Sequence, residues 1–114
     1  FKNRESHAHN RLITSVVLNE DERRQVAREF NMRLATAKSN TTYILPTHGC
    51  NEWDREGAPL HDKQGLQAFI QETRATRPKN VELIELDCHI NDPEFSETAL
   101  AIVDHWITEG IVKL

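Results

Sequence analysis

Val81-Glu82-Leu83-Ile84-Glu85-Leu86-Asp87-Cys88-His89-Ile90-Asn91-Asp92-Pro93 is the stretch whose reading decides the fold. Val81 to Leu86 is a short apolar run of the kind that forms a buried strand. Asp92-Pro93 then starts a helix. The aspartate is a good cap, and proline at the first helical position gives up no donor the helix needs. Phe95, Ala99, Ile102, Val103, Trp106 and Ile107 continue as one broad apolar face, and Gly110 closes it.

The same grammar occurs twice more, working backwards. Thr42-Tyr43-Ile44-Leu45 reads as a strand stopped by Pro46, and a loop through Thr47, Gly49, Asp54 and Gly57 leads to a helix capped by Asp62. The stripe of that helix is Leu66, Phe69, Ile70 and Thr73, with Pro78 beyond its end. Leu12 to Leu18 is rich in β-branched residues and reads as a first strand. Asn19 caps the helix after it, with Glu20, Asp21 and Glu22 at the positive end of the helix dipole. Val26, Phe30, Leu34 and Ala37 are its expected buried side. The order β-α-β-α-β-α predicts an α/β fold with right-handed crossovers and a mostly parallel sheet covered on both faces, three strands coming from this chain. A three-stranded parallel sheet is narrow, so an added strand from a preceding segment or a second copy is expected at one edge. Residues 1–11 read as a polar lead-in and 12–114 as the domain.

In an open sheet of this kind, the loops leaving the carboxyl ends of the strands line the ligand crevice. Thr47–Asp54 and Asp87–Asp92 are those loops. They hold two of the six histidines, both cysteines and several carboxylates. The candidate ligand contacts are Thr47, His48, Gly49, Asp54, Asp87, His89 and Asn91. Asp87-x-His89 has residue types that suit zinc or manganese, yet no HxH or HxxxH cluster within these two loops completes a shell, so no metal site is assigned. Asp92 and Asn91 also have ordinary capping and turn roles. Cys50 beside His48 raises nucleophilic chemistry, but Gly49 between them argues for a turn that separates the two, and cysteine is a common buried residue. Gly49 could let backbone approach a phosphate, although no GxGxxG or GxxxxGK is present. Trp53 reads as a packing anchor, and His7-x-His9 as part of the polar lead-in.

Composition bounds the remaining choices. The 114 residues carry a formal net charge of -4 and 28% charged side chains, which fits one globular domain and argues against nucleic acid as the ligand. No apolar run is long enough to cross a membrane. Two cysteines without CxxC spacing read as free thiols in a reducing compartment, hence a cytoplasmic protein. The opening at Phe1, without an initiator methionine, suggests a segment of a longer polypeptide.

Several stretches together carry a resemblance. They are His9-Asn10, the Asn-Glu-Asp-Glu helix start, and Pro46-Thr47-His48-Gly49 followed by Asp54, Gly57 and Leu60-His61-Asp62. The most specific is the run from Val81 to Phe95. Together they resemble the C-terminal part of an uncharacterised family, the Tm-one-like ATP-binding proteins, whose plant members include a tomato mosaic virus resistance protein. The resemblance implies a two-domain, homodimeric, Rossmann-like α/β/α architecture in which ATP binding belongs to the N-terminal domain. It carries over no catalytic residue. The resulting expectation is a non-catalytic C-terminal domain that forms one wall of a small-molecule or nucleotide cleft. Its partners would be its own N-terminal domain or a second copy of the chain. Two alternatives stand beside it: a hydrolase or transferase using His48, Asp87 and His89, and a protein-interaction scaffold.

Overall fold

A computed structural model describes residues 2–10, 12 and 14–113. The elements in chain order are β1 (Ser6–Ala8), β2 (Thr14–Val16), α1 (Glu20–Leu34), β3 (Thr41–Pro46), α2 (Lys63–Thr76), β4 (Val81–Leu86) and α3 (Pro93–Thr108), with a 3-10 turn at Glu52–Asp54 between β3 and α2. The described residues form a mixed α/β fold with two two-stranded sheets.

β3 and β4 pair in parallel, in register from Thr41 opposite Val81 to Pro46 opposite Leu86. This is the β-α-β unit that the two apolar runs predict. Side chains alternate across it. Leu45, Leu66 and Ile70 form the buried core, with Tyr43, Phe69 and Leu83 packed around them. That cluster places α2 on one face of the pair, and the expected stripe of α2 is the one that is buried. On the opposite face, Ile84 of β4 and Ile102 and Trp106 of α3 line a shared depression.

The expected third parallel strand does not join this sheet. Among the described residues of the Leu12–Leu18 run, Thr14–Val16 form the strand, and it pairs antiparallel with Ser6–Ala8, inside the residues read as a lead-in. Leu12 is 94% exposed, and Ile13 lies outside the described residues. The β-branched composition correctly marks extended backbone, but a strand's partner is chosen by packing rather than propensity. Seven residues back, Ser6–Ala8 needs only a short connection to pair.

The hairpin is fastened to α1 by side chains. Arg4 donates through Nη1 and Nη2 to the two carboxylate oxygens of Glu22 at 2.9 and 2.8 Å, and Val17 N–H donates to the Glu5 carbonyl. Glu22 also completes the capping box with Asn19, as its spacing predicts. The buried side of α1 differs from expectation. Ala27 and Asn31 are enclosed, whereas Val26 and Phe30 are 37% and 53% exposed. Ala27 is small enough to let α1 approach α2 closely. Across that contact Arg28 pairs with Glu72, and Asn31 Nδ2 donates to the Thr73 carbonyl. α1 ends at Leu34, before Ala37.

Two outcomes check this description. Ile70→Ala is expected to destabilise the domain by about 2–5 kcal/mol in denaturant titration, because it empties the centre of the cluster shared by sheet and helix. The Arg4 guanidinium, then the Asn19 backbone N–H, hold the Glu22 carboxyl at about 2, below its ordinary 4.5. Since the folded pKa is depressed, the anchoring is present above pH 4.5 and is lost as pH falls toward 2. Amide exchange at Ser6–Ala8 is expected to rise across that window while β3 and β4 stay protected.

Candidate functional site

The loops leaving β3 and β4 are zipped together beyond the strands. Thr47 N–H donates to the Leu86 carbonyl, His48 N–H to Cys88, and Ile90 N–H back to Gly49, all at 2.9–3.0 Å. The parallel ladder therefore runs on into both loops, and they share one rim as the sheet topology requires. Gly49 turns the first loop with φ +108°, and a Cβ there would meet the His89 ring at 3.5 Å. The ring contact would be an ordinary one, so it is the left-handed backbone that calls for glycine.

His89 sits at the centre and is fully buried. Its Nδ1 accepts from the Asn91 backbone N–H and from Arg55 Nη2, each at 3.1 Å, so Nε2 carries the proton and donates to the Asn51 carbonyl at 3.2 Å. Both ring nitrogens are thereby committed to holding the two loops. His89, a candidate ligand contact by sequence, thus also holds the two loops together.

Arg55 ties this centre to the periphery. It donates to Asp92 Oδ1 at 3.0 Å and pairs with Glu52 at 2.9 Å, and Asn91 Nδ2 donates to the same Glu52 carboxylate at 2.8 Å. Asp92 Oδ2 accepts from the His89 backbone N–H at 2.8 Å. Asp92 stands at the cap position of α3 as predicted, but its carboxylate makes no capping bond to the helix. It serves the loop instead. The His89 N–H, then the Arg55 guanidinium, hold the Asp92 carboxyl below its ordinary range, and Arg55 followed by Asn91 does the same for Glu52. Sequence reading passed over Arg55; the Glu52-x-x-Arg55 spacing was the available signal.

His48 and Asp87 form the exposed pair of the rim. His48 Nε2 lies 2.6 Å from Asp87 Oδ1, and the side chains are 56% and 94% exposed. Thr47 Oγ1 donates to the Leu86 carbonyl at 3.0 Å, which spends its hydroxyl on the ladder. Asp54 is likewise engaged away from the rim. One oxygen accepts from Arg23 at 3.1 Å, the other from the Asp62 N–H at 2.7 Å, joining α1, the loop and the start of α2. Cys88 is buried, and burial first, with nearby carboxylates after it, pushes its thiol up. Cys50 reaches solvent, yet the atoms packed around its sulfur and then the Asp54 charge also raise it. Neither thiol has the electropositive surroundings of a nucleophile. Trp53 packs against His7 and His9, with ring centroids 4.3 and 5.8 Å away, so it anchors the hairpin.

Above the rim lies an open cleft of about 630 Å³ bordered by Thr47, His48, Arg55, Lys63, Asp87 and His89, with Arg74 further along α2. No group of three or more metal-ligating side chains occurs among the described residues. Also among them, no helix is long and apolar enough to cross a membrane.

The two histidines are expected to separate cleanly on substitution. His89→Ala leaves the Arg55, Asn91 and Asn51 groups without their buried partner and costs about 2–4 kcal/mol in a urea melt. His48→Ala stays within about 0.5 kcal/mol of the parent in the same melt, because the removed ring faces water.

Comparison with known proteins places the chain. A sequence profile described as "Uncharacterised protein family (UPF0261) C-terminal domain" matches residues 1–107. UPF0261 proteins of Brucella melitensis biotype 1 and Brucella suis biovar 1 are each 46% identical over 112 residues, 98% of this chain. A UPF0261 protein of Mesorhizobium japonicum is 26% identical over 106 residues. The chain spans 27% of the length of these relatives. With the profile covering the strands, the rim loops and nearly all of α3, the chain belongs to the UPF0261 C-terminal domain family.

Proposed function

We propose that this domain supplies one wall of a small-molecule or nucleotide cleft in a longer protein, and carries out no reaction of its own. The observation that supports this most is the cleft of about 630 Å³ on the rim where two parallel strands release their loops. Its volume falls within the range of about 300–1,000 Å³ common for ligand sites. It is open on one side, which suits a wall that another body completes. The floor is rigid, since His89 and Arg55 cross-link both loops. His48, Asp87 and Lys63 are the groups available to meet a polar ligand. The body that completes the cleft is the rest of the polypeptide or a second copy. Leu100 and Val103 of α3, 64% and 42% exposed, offer apolar surface for such an assembly. The Tm-one-like resemblance favours a nucleotide, with ATP held chiefly outside this domain.

The 2.6 Å contact between His48 and Asp87 supports a second reading, as a hydrolase or transferase. Asp87 would orient the imidazole through Nε2, leaving Nδ1 to take a proton from water or a substrate hydroxyl. His89 has no part in that chemistry.

Titrating ATP, AMP and ribose 5-phosphate while recording amide spectra tests the reading. The expected result is saturable shifts confined to Thr47–Gly49, Arg55 and Asp87–Asn91, with affinity weakened about tenfold in His48→Ala. Absence of saturable shifts, or shifts elsewhere, would overturn it. Turnover of an activated ester that disappears in Asp87→Ala would instead favour the acid–base reading.

A further inference from the structure

A second cavity lies away from the rim, on the side of the 47–61 loop that faces the hairpin. It measures about 260 Å³ and is bounded by four separate elements. Val16, Val17 and Leu18 form its roof. Val26 of α1 closes one side, and Leu60, Leu66 and Phe69 form the floor. Polar character is concentrated at one end, where Ser15, Cys50 and Asn51 meet the Arg23–Asp54 pair.

The charges at that end are already satisfied. Arg23 Nε donates to the Leu18 carbonyl at 3.0 Å, Nη1 contacts Asp54 at 3.1 Å and Nη2 lies 3.6 Å from Asp62. Gly65 presses against the guanidinium from below, a Cβ there falling 2.7 Å from Arg23 Cζ. Arg23 is therefore fixed as a wall and cannot swing out to meet an anion. The remainder of the lining is aliphatic or aromatic carbon. An ionic ligand would lose its hydration here without gaining a partner, whereas an apolar one would exchange water contact for close packing.

The roof differs from the floor in how it is held. Leu66 belongs to the core of the domain. The hairpin is fastened from outside, by Arg4–Glu22 at one end and by tilted and edge-on ring contacts of His7 and His9 with Trp53 at the other. None of these fastening contacts involves the core residues Leu45, Leu66 and Ile70.

We propose that this cavity is a binding site for a small, uncharged, largely apolar molecule, aromatic or branched aliphatic, with its one polar group turned toward Ser15, Cys50 and Asn51. The site is distinct from the rim cleft. Leu66 lines both, but no group that faces the rim ligand borders the apolar cavity apart from that side chain. The two proposals therefore stand or fall separately.

The position of Cys50 at the mouth makes the test direct. The neutral fluorophore N-phenyl-1-naphthylamine is titrated into the chain, and alkylation of Cys50 by N-ethylmaleimide is timed with and without it. Expected are a single saturable site and alkylation slowed at least about threefold at saturation. Val26→Trp, which fills the cavity from α1, should weaken binding about tenfold or more while the circular dichroism melt remains cooperative. Glu97→Gln, an exposed position on the distant α3, should leave binding unchanged. If Val26→Trp does not fold, Cys50 protection in the parent chain decides the matter alone. No saturable binding, unprotected Cys50 in the presence of bound probe, or loss of binding in Glu97→Gln would overturn the proposal.

Discussion

Continuation of the parallel β3–β4 ladder into its exit loops is the constraint on which the functional end of this domain depends. Two strands alone give few backbone bonds, and a polar loop at their end would ordinarily fray. Here the bonds at Thr47, His48 and Ile90 keep the chains paired past the strands. The His89 ring is then inserted where the paired loops would otherwise leave buried amides and carbonyls unmet. An imidazole serves because one nitrogen donates while the other accepts. Arg55 adds a planar donor that reaches His89 Nδ1 and Asp92 together. Removal of any one member exposes the others to the cost of an unpaired buried polar group.

This arrangement divides the polar residues of the rim into two populations. His89, Asp92, Arg55 and Asn91 face one another and make the rim stiff. His48 and Asp87 project from it. A stiff floor with a few projecting groups is what positions a ligand at small entropic cost. Within the first population, the His89 N–H and then Arg55 depress the Asp92 carboxyl, and Arg55 followed by Asn91 depresses Glu52.

The helical layer is organised by a different force. α1 and α2 meet through Ala27, Asn31 and a set of Arg–Glu contacts, whereas α2 meets the sheet through aliphatic carbon. The partly exposed pairs, such as Arg28–Glu72, contribute little net energy, so the core around Leu45 and Ile70 carries most of the stability. α3 contains no fully buried residue. Its apolar face exceeds what β3 and β4 can cover, consistent with a domain that forms 27% of the length of its relatives.

Much of this was legible in the residues themselves. The β3–α2–β4–α3 order, the Asn19 capping box, the Asp62 cap, the α2 stripe and the shared rim of the two loops follow from local rules of periodicity, capping and strand direction, which act over a few residues. Tertiary structure alone decided the rest. Whether Thr14–Val16 would join the parallel sheet or fold back on Ser6–Ala8 depends on which partner packs better, and extended backbone looks the same in both cases. Which histidine is buried and which projects is equally undetermined by neighbours in sequence. His48 and His89 each follow a strand within a polar loop. Only the convergence of Asn51, Arg55 and Asn91 on one ring makes His89 part of the scaffold and leaves His48 to face the cleft. Hydrogen bonds between residues 34 to 38 positions apart are set by how the chain closes in space, and no local pattern encodes that closure.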